Sequence, residues 1–432
     1  MQLMGENMFN IFKKSKSDRK AVVIGLDGVP YTLLVDYMER GIMPEFAELC
    51  ENGKLYKMKS TLPEVSSVAW TSFITGKNPG QHGIFGFMEI DRGSYEYIFP
   101  NFNSLKERPF WEREDIKTIA FNIPQTYPAR PMNGVLVSGF VAIDLKKATY
   151  PERVFEYLSG IGYKLDVNTK LATENPEAFF ENLFDTFDKR KKAIEHIYDS
   201  EDWQLLIGTI TETDRLHHFF FDSARDGEYF HIFEKFYREL DRFIGLMTNK
   251  AIKDGALFLT CSDHGFTPIK SEVYLSRWLI ENGYLKISSM EGLKGITSDT
   301  KAFCLDPSRI YIHLEGRYSR GKIKQFDYKR VADELKDKLS EITFEGQEII
   351  KKIYLKHEIF HGDYVDGGPD IYLLPNYGFD LKGAVNRDSL FGTTHFKGMH
   401  TYDDAHLFLS IPIECNDIEI EDVAGIIVKH VK

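Results

Sequence analysis

The chain has 432 residues, enough for one large α/β domain with insertions or for two ordinary domains. Charged residues make up 28% and the net charge is −11, which excludes broad binding to duplex nucleic acid and obliges any anionic substrate to find a local cationic centre. No run approaches the roughly 18 apolar residues of a membrane span, and the four cysteines, Cys50, Cys261, Cys304 and Cys415, have no CxxC spacing, so neither a thiolate zinc site nor a disulfide framework is indicated.

Residues 1–19 are polar and basic around Lys13 to Lys20, without the apolar stretch of a signal peptide, and read as a flexible tail on a cytoplasmic protein. Order is expected from Ala21, where Ala-Val-Val-Ile-Gly-Leu forms a buried first strand ended by Asp27-Gly28. Helical periodicity follows over Tyr31 to Arg40 and again from Pro44 to Asn52, with proline in the first turn and Gly53 as the stop. Further buried strands are predicted at Thr118 to Asn122, Val135 to Ser138, Trp203 to Thr209, Ala256 to Cys261, Asp370 to Leu374 and His406 to Ser410. Long helices are predicted over Pro176 to Tyr198 and Tyr229 to Asn249. This alternation predicts an α/β fold, a largely parallel central sheet with helices on both faces. Between Ile269 and Gly367 the pattern breaks into short amphipathic pieces and Gly-rich turns. The predicted division is a core of 20–268 and 368–432 with an inserted cap at 269–367, and a smaller insertion over Phe85 to Arg113.

Five clusters at the ends of apolar runs carry the chemistry, where open α/β sheets place their sites. Asp214 and His218 are four apart, so one helical turn sets them on one side, able to share a metal ion; a surface pair or helix cap has the same spacing. An apolar strand runs straight into Asp263-His264-Gly265, a carboxylate and imidazole suited to zinc, manganese or iron, or else a polar strand end with a turn glycine. Asp27 closes the first strand in the same way. His400, ahead of the last apolar run, is a further candidate ligand, with His395 as its rival. Ser66 stands where a turn gives way to a helix starting near Val68; it could attack phosphorus there, or Ser66 or Ser67 could simply cap the helix.

These residues resemble the alkaline phosphatase superfamily, in particular its type I phosphodiesterase/nucleotide pyrophosphatase branch, and closest the predicted phosphohydrolase/phosphomutase group. The resemblance rests on Gly25-Leu-Asp-Gly28, Met43-Pro-Glu-Phe, Trp70-Thr-Ser-Phe-Ile-Thr-Gly-Lys-Asn-Pro-Gly-Gln-His-Gly83, Asp214 to His218, Ser262-Asp-His-Gly265 and Gly398-Met-His400, in that order; Asn122 to Pro128 with Gly134 to Gly139, and Thr300 to Ala302 with Gly316-Arg317, point to the last group.

The resemblance implies a two-metal site, commonly zinc with manganese as the alternative. Asp214, His218 and His400 would hold one ion; Asp27, Asp263, His264 and the Ser66 oxygen would hold the other. Ser66 would be the nucleophile of a phosphoseryl mechanism acting on a small phosphate ester, with a phosphomutase or phosphomonoesterase of the same superfamily as the alternative. A non-catalytic, metal-stabilised binding protein is the reading from another class. Two departures matter. Phe87 stands where many nucleotide pyrophosphatases have an asparagine that contacts a phosphoryl oxygen, and Ser66-Ser-Val-Ala-Trp lacks the proline and arginine of a sulfatase motif. Lys301 and Arg317 in the cap are candidates for a substrate anion or for solvated surface cations.

Overall fold

The computed structural model describes residues 19–289 and 292–432. Apart from Arg19, the tail expected over 1–19 lies outside the described residues.

Eight strands build the main sheet: β1 (Lys20–Leu26), β2 (Lys54–Met58), β3 (Thr118–Ile123), β4 (Gly134–Ser138), β5 (Thr149–Tyr150), β6 (Leu205–Ile210), β7 (Ala256–Cys261) and β8 (Ala405–Leu409). Their order is β2-β8-β7-β1-β6-β3-β4-β5. The central run β7-β1-β6-β3-β4 is parallel throughout. Antiparallel pairings appear only at the flanks, β8 against β7 and β2, and β5 against β4. The central strands are covered on both sides, which is why they are near-continuous apolar runs rather than alternating ones. The pleat still sorts the side chains: Val22, Ile24 and Leu26 enter one core cluster, whereas Ala21 and Val23 enter the cluster on the opposite face.

On the first face lie the helices Tyr31–Glu39, Pro44–Asn52, Glu152–Gly160, Pro176–Ser200 and Phe230–Asp254; on the other lie Ser66–Thr75 and Asp422–Val431. A buried ion pair, Arg190 Nε to Glu212 Oε1 at 2.7 Å, ties the long helix Pro176–Ser200 to the first residue of the helix Glu212–Phe220, which carries Asp214 and His218. Removing one member would strand the other charge in a fully buried place.

The cap has its own sheet, in the order Ala302–Leu305, Arg309–Ile312, Ile371–Pro375 and Ile350–Leu355. Ile371–Pro375, which the sequence predicts among the core strands, pairs instead with Arg309–Ile312 and Ile350–Leu355, so the paired strands of the cap run past residue 367. Ile371 and Leu373 pack in the cap's apolar cluster, and an apolar run alone does not say which of two cores receives it. The smaller insertion forms a hairpin, Glu89–Ile90 with Tyr97–Ile98, that joins the same cluster through Ile90 and Tyr95. Arg309 clamps it, donating to the Glu89 carboxylate and the Met88 carbonyl, both at 2.7 Å. Beyond β7, Gly265–Pro268 pairs antiparallel with Gly398–Thr401 in a register that sets Phe266 opposite His400. This pairing brings the late His400 back to the end of β7.

Candidate metal centre

The carboxyl ends of β1, β7 and β6 converge. β1 delivers Asp27, β7 delivers Asp263 and His264, and the helix Glu212–Phe220 that follows β6 delivers Asp214 and His218. The Thr213 hydroxyl donates to the Asp27 carbonyl at 2.6 Å and fixes the start of that helix against the end of β1. Gly28, at φ +66°, turns its amide onto Asp263 Oδ1 at 3.0 Å. A Cβ there would come within 2.6 Å of the Phe266 ring, so glycine is required both for the left-handed turn and for the close approach.

Ser66 is the first residue of the helix Ser66–Thr75, and the position before it, Val65, makes no side-chain cap. The capping alternative is therefore not what Ser66 does: it is 4% exposed, and its Oγ lies 3.2 Å from His264 Nε2 and 3.4 Å from Asp27 Oδ1. His264 Nε2 is also 3.2 Å from Asp263 Oδ2 and 3.8 Å from Asp27 Oδ1. A short distance away His218 Nε2 and His400 Nε2 face each other at 3.1 Å, with Asp214 Oδ1 at 3.4 Å from the first and 3.5 Å from the second. The donor atoms of Asp214, His218 and His400 all lie within 4.8 Å of one another, and so do those of Asp27, Asp214 and His264; Asp214 joins the two groups. His395 is exposed and stacks on Phe219, outside both groups.

Carbonyl oxygens only accept, and this fixes the tautomers. His264 Nδ1 donates to the Gly265 carbonyl at 3.1 Å and His400 Nδ1 to the Glu64 carbonyl at 2.8 Å, which turns the Nε2 of each ring into the site. A backbone acceptor behind a ring is the usual support of a metal-ligating histidine. Other buried histidines differ. His217 donates to the Gly28 carbonyl and accepts from the Tyr237 hydroxyl, and His406 likewise has the Val29 carbonyl and the Thr260 hydroxyl, so both rings are satisfied. In the site, Asp214 Oδ1, Asp263 Oδ2 and His218 Nδ1 are buried without a hydrogen-bond partner. Acceptor atoms aimed at one another in a desolvated pocket repel, and the donor set of carboxylates and imidazoles is one that divalent cations bind.

The electrostatics say the same. Burial, then the charges of Asp263 and Asp214, pushes the Asp27 carboxyl well above the ordinary carboxylate range. Burial raises Asp263 to about 6, although the Gly28 amide works against it. Burial also depresses His264, and takes His218 to about 4. For Asp214 burial pushes upward too, but His218, His400 and Arg215 together outweigh it and the carboxyl stays well below the usual range. A cation placed among these groups reverses the penalty that burial imposes on their charged forms.

Supporting residues emerge that sequence patterns did not assign. Trp70, fully buried, donates its indole N–H to Asp27 Oδ2 at 3.2 Å. Arg215 donates to Asp214 Oδ2 at 2.8 Å, forks onto Asp166 at 2.8 and 3.0 Å, and lies 4.2 Å from the Phe140 ring centre. The Asp-Arg dipeptide was visible in the sequence, but Asp166 is 49 residues away and nothing local announces it. Phe87 packs against Val65 and Val68 beside Ser66 and meets Phe140 at 5.3 Å between ring centres. Of the cap cations, Arg317 is held by Asp370 at 2.8 Å and by the Gly368 carbonyl, so it is neither free for a substrate nor a solvated surface group. Lys301 is exposed, its ammonium 5.6 Å from the Tyr284 ring centre.

Among solved structures, phosphonoacetate hydrolase from Sinorhizobium meliloti 1021, in complex with phosphonoformate, is similar over 96% of both chains with a TM-score of 0.61 and 15% identity. Murine ectonucleotide pyrophosphatase / phosphodiesterase 5, an inactive form in complex with AMP, is similar over 96% of this chain and 95% of that one, with a TM-score of 0.56 and 14% identity. The human form of the same protein gives a TM-score of 0.57 at 14% identity. At these identities the likeness is one of fold. No curated protein sequence matches the chain significantly. The family model for type I phosphodiesterase / nucleotide pyrophosphatase matches residues 21–403, a span that contains every residue of the site, and the chain belongs to that family.

Proposed function

We propose that the protein is a metal-dependent phosphohydrolase that cleaves phosphate esters, diesters or pyrophosphates first among them, through a phosphoseryl intermediate on Ser66. Asp214, His218 and His400 would hold one divalent ion, and Asp27, Asp263, His264 and Ser66 Oγ a second, zinc or manganese in each case. Bound there, the pair would acidify the serine hydroxyl and neutralise charge on the phosphoryl and leaving oxygens.

The chain's own contribution is position. Ser66 sits at the first turn of its helix, where unpaired backbone amides favour the phosphoryl oxygens that approach its Oγ. Its Oγ lies 3.2 Å from His264 Nε2 and 3.4 Å from Asp27 Oδ1, which sets the hydroxyl among the atoms that would hold the second ion. As the Oγ–P bond forms, the bond to the leaving oxygen breaks and the alcohol departs with a proton; water then cleaves the Oγ–P bond, releases the phosphate product and restores the serine. Phe87 offers no hydrogen bond where an asparagine would, so orientation of the phosphoryl group falls to the helix amides and the metal ligands. A cytoplasmic setting belongs to the same reading, supported by free thiols that include the exposed Cys415.

The observation that carries the proposal is the convergence of imidazole Nε2 atoms and partnerless carboxylate oxygens beside the Ser66 hydroxyl. The test is hydrolysis of bis(p-nitrophenyl) phosphate and p-nitrophenyl phosphate by protein loaded with Zn or Mn, beside a Ser66→Ala variant. The variant is expected to bind metal and to lose at least about a thousandfold in kcat. Equal turnover by the variant would remove Ser66 from its role, and an isomerised product without free phosphate would favour a mutase.

A further inference from the structure

Phe87 and Phe140 form a ring pair that bond cleavage at Ser66 does not itself require. Phe87 packs with Val65 and Val68, which flank Ser66 and Ser67, and its ring centre lies 5.3 Å from that of Phe140. The Phe140 ring centre is in turn 4.2 Å from the Arg215 guanidinium carbon, and Arg215 donates to Asp214 Oδ2 at 2.8 Å. The pair therefore reaches from the approach to the nucleophile to the support of a metal ligand. Both rings are half-buried, so each keeps open surface. The flanking chain is apolar as well: Val141 is 38% exposed and Phe99 68%. Gln125 joins these two segments, its backbone amide donating to the Phe140 carbonyl at 3.0 Å and its side chain to the Pro100 carbonyl at 2.7 Å.

What this border can meet follows from what it lacks. Phe87 stands where many nucleotide pyrophosphatases have an asparagine on a phosphoryl oxygen, and a phenyl ring has no N–H to donate. Arg215, the cation in contact with the pair, is engaged by Asp214 and by Asp166, both at 2.8 Å. An anionic oxygen turned toward the rings would lose water and gain neither a donor nor a free cation, which is costly. A carbon substituent loses nothing there and covers the open ring surface. We propose, resting on phosphoester cleavage at Ser66, that Phe87 and Phe140 are specificity-determining residues that receive an apolar organic substituent on phosphorus, aryl above methyl. The favoured substrates are then monoanions that carry such a group, diesters and phosphonate esters, rather than dianionic monoesters.

The experiment holds the leaving group fixed as p-nitrophenolate and varies the other substituent: phenyl or methyl in the two phosphonate esters, oxygen in p-nitrophenyl phosphate. With metal-loaded, full-length protein, kcat/KM is expected to favour phenyl over methyl by at least about tenfold more than alkaline hydrolysis of the same esters does. It is expected to be lowest for p-nitrophenyl phosphate. Phe87→Ala and Phe140→Ala are each expected to lower the phenyl-to-methyl ratio by about fivefold or more, and the fraction of active protein cannot move that ratio. If an alanine variant does not fold, Phe87→Leu and Phe140→Leu, which keep more of the packing, are expected to lower it in the same direction by about twofold. Phe87→Asn, which restores a donor, is expected to raise p-nitrophenyl phosphate relative to the phenyl ester by about tenfold.

Cleavage of the methyl ester that needs Ser66 but shows no preference for phenyl would overturn the assignment and leave the phosphohydrolase standing. So would p-nitrophenyl phosphate as the best substrate, or variants that lose both phosphonate esters equally, which is packing alone. If none of the three esters is cleaved in a Ser66-dependent way, the phosphohydrolase reading fails first, and calorimetric titration of the metal-loaded protein with phenylphosphonate and methylphosphonate decides the role of the rings. Tighter binding of phenylphosphonate that Phe140→Ala abolishes would uphold it, and equal affinities would overturn it.

Discussion

Replacing Trp70 by phenylalanine isolates one hydrogen bond to the metal centre. The ring packs at the floor of the site, where a Cβ on Gly25 would come within 2.5 Å of it, and its N–H donates to Asp27 Oδ2 at 3.2 Å. In the metal-free protein burial, then Asp263 and Asp214, pushes the Asp27 carboxyl well up and so favours its neutral form. A hydrogen bond to it then contributes about 1 kcal/mol, as between neutral groups. With metal bound the carboxylate is ionised, and the same N–H contributes about 1.5–3 kcal/mol. The packing lost on going from indole to phenyl is common to both states and cancels in the difference. What survives is about 0.5–2 kcal/mol of metal-binding free energy, or a loss of about two- to thirtyfold in affinity. Competition with a chromophoric chelator measures the affinity, and thermal melting of metal-free and loaded protein separates the two contributions. If Trp70→Phe lowers the stability of both forms equally and leaves the affinity untouched, Trp70 is packing alone and the charge assignment at Asp27 is wrong.

Arg215→Met would leave Asp214 Oδ2 and the Asp166 carboxylate without their shared partner; metal content is expected to fall by one ion and kcat/KM by about a hundredfold, read by metal analysis and steady-state kinetics. Retention of both ions would show that Arg215 does not orient Asp214. The adjacent histidines should part company. His217→Leu is expected to cost about 2–4 kcal/mol of stability because Gly28 and Tyr237 lose a buried partner, with one tight ion still bound at His218; His218→Leu should lose that ion while melting near the native metal-free temperature. Metal affinity should rise with pH between about 6 and 8. Burial pushes His400 down, but its contact with Asp214 more than offsets this, and burial raises Asp27 and takes Asp263 to about 6, so all three hold protons to higher pH than such groups ordinarily do, and metal must displace them. A pH-independent affinity would refute the pH argument.

The main sheet was legible because its strands are buried on both faces. Lys20–Leu26 and Ala256–Cys261 announce themselves as apolar runs, each ended by the residues that matter, and a parallel sheet leaves those ends together at one edge. The same signal misled at Ile371–Pro375, whose five buried residues look like any core strand. Which sheet receives such a run depends on partners far along the chain, here Arg309–Ile312 and Ile350–Leu355, and no periodicity within the strand encodes that choice.

At the site, residue type and spacing picked the groups that converge, yet they could not say why His264 and His400 differ from His217 and His406. All of these are histidines among apolar neighbours, and His217 even adjoins a proposed ligand. The difference lies in what stands at the second ring nitrogen. Tyr237 fills it for His217 and Thr260 for His406, whereas for His400 the place is taken by another imidazole nitrogen at 3.1 Å, which cannot be a lasting neighbour of a lone pair without a proton or a cation between them. That distinction is set by contacts across 20 residues in one case, 146 in the second and 182 in the third. A metal centre of this kind is therefore defined less by the presence of its ligands than by the hydrogen-bond partners the fold withholds from them.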